Sequence, residues 1–239
     1  RCPAEWGRLA TEKDLRVAMF YGYANFDELV LDEGFAVAMA SVLASPCRGS
    51  AAACGFVLVA EAPHLVRLRK TFDDRAATVD VRWTSLGPDD RENRRSPEQE
   101  RESRVAQELF HGALRESDVV LFTGHSRAGG GLGFEPASAL GIAVDALLRP
   151  EARATARAMA ARPSRLELLG VMACDADAYY GAELHEANPR ARLVLARAAI
   201  ASDETDPIDL ALLDAVLGQR CETLQKPMRA AVRVIEANR

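Results

Sequence analysis

Residues 119–133 read VVLFTGHSRAGGGLG, and residues 168–177 read LLGVMACDAD. Each stretch begins with a short, mostly apolar run that has the length and composition of a buried strand. Each run is then followed by one chemically reactive side chain, which is His125 in the first stretch and Cys174 in the second. Because the carboxyl ends of parallel strands meet at one edge of a sheet, we expect this imidazole and this thiol to lie close together.

Strand and helix patterns alternate along the rest of the chain. Buried strands are predicted at residues 15–23, 55–60, 118–123, 165–173 and 192–200, and an alternating strand, interpreted as an edge strand, at 78–84. Helices are predicted at residues 28–44, 96–116, 136–148, 153–161, 176–187, 206–217 and 222–237. This alternation predicts an α/β fold, a three-layer α/β/α sandwich with a mostly parallel central sheet. Since no repeat or linker divides the chain, residues 1–239 are expected to form one domain.

Local signals predict how two of these helices begin. Ser96 and Gln99 are spaced as a capping box at the start of the helix at 96–116, where Val105, Leu109 and Leu114 are expected to face inwards. The helix at 206–217 begins with an Asp-Pro pair, and its aspartate is the expected N-cap.

The composition is that of an ordinary soluble globular protein. The 239 residues are 49% hydrophobic and 27% charged, and the formal net charge is −5. A negative net charge argues against general nucleic-acid binding, since DNA and RNA are polyanions. No apolar run approaches the roughly 18 residues of a membrane-spanning helix, so no membrane span is expected.

The cysteines bear on redox state and metal binding. The chain has no C-x-x-C pair and its four histidines are scattered, so neither a metal nor a cofactor is expected. Pairing of Cys47 with Cys54 and of Cys2 with Cys221 would leave Cys174 as the free thiol. Such disulfides require an oxidising compartment, and with a first residue other than Met they favour a periplasmic or secreted protein. The alternative is that all five cysteines are reduced.

The two strand ends resemble those of the caspase-like cysteine peptidases, the group of caspases, metacaspases, clostripain, gingipains and legumain. In that family one strand is followed by Gly-His-Gly or a close variant, and the next strand ends in a small residue followed by the catalytic Cys. The matching residues here are Gly124-His125-Ser126 and Ala173-Cys174, with Ser126 in place of the usual second glycine. The resemblance extends to the order of strands between residues 15 and 200.

This resemblance implies that the chain cleaves peptide bonds in a peptide or protein substrate through a thioester acyl-enzyme. His125 would act as general base and acid, and Cys174 would attack the carbonyl carbon. The main-chain N–H groups of Ser126 and Cys174 would form the oxyanion hole.

The residues that would select the substrate are less well defined by the sequence. Asp27 follows the first strand, and Asp175 and Asp177 follow Cys174. Any of these carboxylates would suit a basic substrate residue, as in the arginine- and lysine-specific members of the family. Arg127 would instead orient an acidic group. The alternative for the three aspartates is that they are helix caps or solvated loop residues.

Three other functions fit parts of the same pattern. A catalytically inactive caspase-like scaffold would act as a binding module. Ser126 lies in a sequence similar to the nucleophile elbow of an α/β-hydrolase, but that fold needs an acid and then a histidine later in the chain. Asp203 would supply the acid, but the last histidine is His185. The glycine-rich segment lacks the lysine of a phosphate-binding P-loop, and we expect it to form a flexible wall of the cleft.

Overall fold

The computed structural model describes residues 7–23, 32–199, 202–220 and 230–237, without the side chains of 202–204. Eight strands in this part of the chain form one sheet: β1 (Asp14–Tyr21), β2 (Val57–Ala62), β3 (Leu65–Thr71), β4 (Ala76–Arg82), β5 (Val119–Thr123), β6 (Leu168–Met172), β7 (Arg192–Ala196) and β8 (Val232–Ile235). Their order across the sheet is β2-β3-β4-β1-β5-β6-β7-β8.

The middle of the sheet is parallel and its margins are antiparallel. Strands β4, β1, β5, β6 and β7 run in one direction. The pairs β2–β3, β3–β4 and β7–β8 are antiparallel. The prediction of an α/β fold with a mostly parallel sheet is confirmed.

Helices pack on both faces of this sheet. The α-helices of the described residues are α1 (Asp32–Ala44), α2 (Asp90–Asn93), α3 (Pro97–Glu116), α4 (Ala139–Leu148), α5 (Pro150–Ala160), α6 (Ala176–Ala187) and α7 (Ser202–Gly218). One hydrophobic cluster joins Leu121 of β5 to residues of α1 and α7. The other joins Phe122, the next residue of β5, to residues of α3, α5 and α6. Successive strand residues point to opposite faces, so each face has its own core.

Strands β5 and β6 lie in the interior of the molecule. The first four residues of β5 and all of β6 are buried. Apolar residues on both faces are what a parallel strand covered by two layers of helices requires. The ring of Phe122 packs against Phe110 of α3 and against Phe134, with ring centroids 5.9 and 5.2 Å apart. These contacts hold the segment after β5 against α3.

The margins of the sheet differ from the predictions. β2 was expected to be buried, but all six of its residues are exposed, and Val57 is 68% exposed. β4 was expected at an edge, but it lies between β3 and β1. The reason is that the segment 65–71, which has no clear pattern, forms β3 and places the β2–β3 hairpin outside β4.

The start of α3 is predicted only in part. Ser96 is the N-cap, and its side chain accepts a hydrogen bond from the N–H of Glu98. Gln99 does not complete a capping box. Its side chain accepts from the N–H of Leu86 and donates to the carbonyl of Thr84, at 2.9 and 2.7 Å. The side-chain amide of Gln99 therefore binds the loop at residues 84–86 and does not make the capping-box hydrogen bond that the local pattern predicts.

The buried face of α3 also differs from the prediction. Leu114 is buried as expected, but Val105 and Leu109 are 40% and 41% exposed. The residues that face the sheet include Ala106 and Phe110. A small residue lets the helix lie close to the sheet, and the large Phe110 ring fills the remaining space.

The C-terminal elements are displaced relative to the predictions. α7 begins at Ser202, so Asp206 is not its N-cap and Pro207 lies inside the helix. The helix predicted at 222–237 is wrong at its end, because residues 232–235 form β8 and pair with β7. Residues 221–229 lie outside the described part of the chain.

The prediction of a Cys47–Cys54 disulfide is confirmed, with the two Cα atoms 5.1 Å apart. Its loop is held to the body by Lys70, whose Nζ donates to the carbonyls of Ala52 and Cys54 at 2.8 and 2.7 Å. The carboxylate of Asp214 in α7 accepts from the N–H of Ala52. Cys2 and Cys221, the second expected pair, lie outside the described residues.

Candidate functional site

The candidate site lies where β5 and β6 end. These strands are parallel, and their last register partners are Thr123 and Met172. The N–H of Gly124 donates to the carbonyl of Met172 at 3.2 Å. His125 is the second residue after Thr123, and Cys174 is the second residue after Met172. The fold therefore brings the two predicted residues to equivalent positions at one edge of the sheet.

His125 is half-buried on a main chain that is held on both sides. Its carbonyl accepts from the N–H of Gly133 at 3.0 Å, and the carbonyl of Gly133 accepts from the N–H of Tyr23. Burial, and then the positive charge of Arg127, lower the pKa of His125. The imidazole is thus neutral at pH 7 and can accept a proton. Cys174 is also half-buried and is a free thiol.

The segment after His125 turns sharply and packs closely. Arg127 and Ala128 both have positive φ angles, 47° and 49°. A Cβ atom added at Gly131 would lie 2.1 Å from the Cβ of Glu151, and one added at Gly130 would lie 2.5 Å from a main-chain carbon of Asp145. These glycines allow close packing against α4 and α5, whereas we expected them to form a flexible wall of the cleft. The sequence pattern does not distinguish between these two roles.

The side chain of Arg127, which was predicted to orient an acidic group of the substrate, is directed into the protein. Its side chain is 5% exposed, and its Nη1 lies 3.9 Å from a carboxylate oxygen of Glu135 and 3.7 Å from one of Asp145. Its Nη2 donates to the carbonyl of Glu135. The guanidinium thus stabilises the loop that follows His125.

The two predicted aspartates among the described residues, Asp175 and Asp177, differ in their surroundings. The carboxylate of Asp177 pairs with Arg233 of β8 at 3.2 Å. Asp175 has a φ of 54° and donates its N–H to the carbonyl of Ala198, so it shapes the turn into α6. Asp27 lies outside the described residues. Asp175 directly follows Cys174 in the sequence. Unlike the carboxylate of Asp177, that of Asp175 has no charged partner among the described residues.

Two acidic residues of α7 approach the ends of β1 and β5; the sequence predicted Asp206 only as a helix N-cap and did not single out Asp209. The hydroxyl of Thr123 donates to Asp209 at 2.6 Å, and that of Tyr21 donates to Asp206 at 2.9 Å. Burial raises the pKa of Asp209 to about 8. Their spacing of three residues places them on one helix face, which is the signal that the sequence offered.

The helix after Cys174 contacts the loop after His125. The hydroxyl of Tyr180 in α6 donates to the carbonyl of Ser126. Arg149 makes a second link, because its guanidinium donates to the carbonyls of Gly129 and Tyr179 at 3.1 and 2.8 Å. The sequence did not predict either link, since each joins residues at least 20 positions apart.

The main-chain N–H groups of Ser126 and Cys174 donate to no acceptor among the described residues. Ser126 itself does not lie in a nucleophile elbow. It has a φ of −87° and precedes a single 3-10 turn at Arg127–Gly129, whereas an elbow leads straight into a helix. The geometry therefore gives no support to Ser126 as the nucleophile.

Two wider features of the chain bear on its function. Within the described ranges, no three His, Cys, Asp or Glu side chains are grouped as metal ligands. No helix there has the length and hydropathy needed to cross a membrane.

The chain matches no protein-family model, and neither a curated protein nor a solved structure is detectably similar to it.

Proposed function

We propose that this protein is a cysteine peptidase of the caspase-like type, with His125 and Cys174 as its catalytic dyad. The supporting observation is their placement, each two residues beyond a register pair of the parallel strands β5 and β6. Ligands of parallel α/β sheets bind at this edge. The half-burial of both side chains keeps them accessible to a peptide while excluding part of the solvent.

The lowered pKa of His125 suits the first chemical step. The neutral imidazole takes the proton from the Cys174 thiol, and the thiolate sulfur attacks the peptide carbonyl carbon. The carbonyl π electrons move to the oxygen, which becomes an oxyanion. The N–H groups of Ser126 and Cys174 are the donors for this oxyanion, and each such donor contributes on the order of 10²-fold or more to the rate.

The second half of the reaction uses the same residues. The imidazolium of His125 gives its proton to the leaving amine as the C–N bond breaks, which leaves a thioester on Cys174. Water, deprotonated by the imidazole, then attacks the thioester. The products are a carboxylic acid and the regenerated thiol.

The first prediction concerns the reactivity of Cys174. Iodoacetamide should label Cys174 faster than it labels any other cysteine that is not in a disulfide, because the imidazole assists formation of the thiolate. In His125→Ala this labelling should slow at least about tenfold. The matched control is His111→Ala, which removes another half-buried histidine, on α3, and should leave the rate unchanged. Mass spectrometry of the alkylated peptides measures each rate.

Equal labelling of all accessible cysteines, or an unchanged rate in His125→Ala, would show that the dyad does not exist.

A screen of a diverse peptide library then distinguishes an enzyme from a binding module. Cleavage that is lost in Cys174→Ala supports the peptidase, and a general base contributes about 10²–10⁴-fold to such a rate. Labelling without any cleavage would favour an inactive scaffold.

A further inference from the structure

We propose that Tyr180 is a positioning residue that sets the loop carrying His125 against the loop carrying Cys174. The inference rests on the proposed function, because it assigns Tyr180 a role in the same dyad. Tyr180 lies in α6, which follows Cys174, and its hydroxyl donates to the carbonyl of Ser126, which follows His125. One side chain therefore connects the two segments on which the dyad depends.

The strand ladder does not itself fix these segments. The last hydrogen bond between β5 and β6 is the one from Gly124 to Met172, and both His125 and Cys174 lie beyond it. Past this point the two chains diverge, one into the glycine-rich turn and the other into α6. Beyond the ladder, contacts between the turn and α6, made by Tyr180 and by Arg149, connect the two segments.

The hydroxyl of Tyr180 makes its contact by donating to the carbonyl of Ser126. The carbonyl of Ser126 accepts a second hydrogen bond, from the N–H of Gly129 at 2.9 Å. The orientation of the Ser126 main chain determines the direction of its N–H group, which is assigned to the oxyanion. It also affects the direction of the preceding residue, His125.

The surroundings of Tyr180 hold this hydroxyl in place. Tyr180 is 3% exposed, and its ring belongs to the same hydrophobic cluster as Phe122 and Ala173. Burial raises the pKa of Tyr180, so the hydroxyl keeps its proton and remains a donor at neutral and mildly alkaline pH. Water cannot replace the hydroxyl readily in such a packed position, because a site for water needs room and several polar partners.

The test replaces only the hydroxyl. Tyr180→Phe keeps the ring, and the matched control is Tyr179→Phe on the exposed side of α6. The alkylation rate of Cys174 by iodoacetamide is measured from pH 5 to 9, together with the melting temperature. We expect a rate about 10- to 100-fold lower at pH 7 in Tyr180→Phe, since small displacements of reacting groups have effects of this size.

The pH profile separates positioning from general stability. In Tyr180→Phe the pH profile of Cys174 alkylation should change in the same direction as in His125→Ala. The melting temperature should fall by no more than about 4 °C. Tyr179→Phe should match the wild type in both measurements. With a peptide substrate, kcat should fall while KM stays constant.

Two results would overturn the inference, and they are distinguishable. If Tyr180→Phe has the wild-type rate and profile while His125→Ala is slow, the dyad exists but Tyr180 does not position it. If His125→Ala also has the wild-type rate, the proposed function fails and this inference fails with it. If Tyr180→Phe does not fold, difluorotyrosine is placed at position 180, because it changes the donor strength of the hydroxyl within nearly the same volume. An unchanged pH profile of Cys174 alkylation would then show that Tyr180 does not position the dyad.

Discussion

At the scale of single residues, Asp209 shows most clearly how the fold changes the chemistry of a side chain. It is 1% exposed and accepts a hydrogen bond from Thr123. Burial, and secondarily the charge of Asp206, raise its pKa to about 8, whereas an aspartate in an unfolded chain titrates near 3.9. Between these two values the folded protein binds a proton that the unfolded chain has released.

This difference predicts a loss of stability with rising pH. Between about pH 4 and pH 8 the folded state holds more protons at Asp209 than the unfolded state, so each unit of pH increase lowers the free energy of unfolding by about 1.4 kcal/mol. Below pH 4 both states are protonated at this position and the effect is absent. Asp209→Asn should therefore be more stable than the wild type at pH 9 and should show a flatter pH profile in urea unfolding.

A surface aspartate of the same sheet is the control for this experiment. Asp14 lies in β1 with its side chain 72% exposed, and Asp14→Asn should follow the wild-type profile. Parallel profiles for Asp209→Asn and the wild type would mean that Asp209 is ionised in the folded protein at neutral pH.

Gly131 provides a second prediction at this scale, from steric contact alone. Its missing Cβ would lie 2.1 Å from the Cβ of Glu151, so Gly131→Ala forces the loop and α5 apart. Such overpacking costs about 1–3 kcal/mol in the free energy of unfolding. The control is Gly112→Ala on α3, where a Cβ meets no atom within 4 Å and should stabilise the helix by up to about 1 kcal/mol. Equal stabilities of the two variants would contradict the close packing.

Single residues also show what a sequence can and cannot reveal about a site. The positions of His125 and Cys174 follow from strand length and strand order, which are local patterns. The direction of the Arg127 side chain depends on two successive positive φ angles and on carboxylates from other segments. Asp177 pairs with a strand that begins 55 positions later, at Val232. No pattern around either residue records these partners.

At the scale of elements, the disulfide loop is the clearest test of stability. The Cys47–Cys54 bond closes a short loop of sequence separation 7. A loop of this length restricts the unfolded chain enough to stabilise the protein by about 2–3 kcal/mol. The double variant Cys47→Ser, Cys54→Ser should therefore lose that amount in urea unfolding. Under a thiol reductant the wild type and the variant should converge, and a persistent difference would mean that the serines disturb the loop for another reason.

Elements also differ in how far their sequences determine them. The bounds of α6 are predicted to the residue, at Ala176 and Ala187. The burial of β2 and the strand β8 are not predicted. Whether a strand lies at the edge depends on which neighbours pair with it, and β3 had no clear pattern of its own.

At the scale of the whole molecule, the alternation of strands and helices was sufficient to predict the fold class. Crossover connections of helical length force neighbouring strands to be parallel, and five strands of the sheet obey this rule. The order of the strands was not predicted, because β1 pairs with β4 and β5, which follow it by more than 50 residues.

The central position of β1 in the sheet has a consequence for the synthesis of the protein. Of the eight described strands, the one at the centre of the finished sheet is the first to leave the ribosome, and both of its neighbours are synthesised later. At about 5–20 residues per second, the roughly 100 residues between β1 and β5 take about 5–20 s to make. During that interval the apolar side chains from Leu15 to Tyr21 have no complete sheet to enter. The pairing of β1 on both of its sides therefore has to wait until residue 123 has emerged.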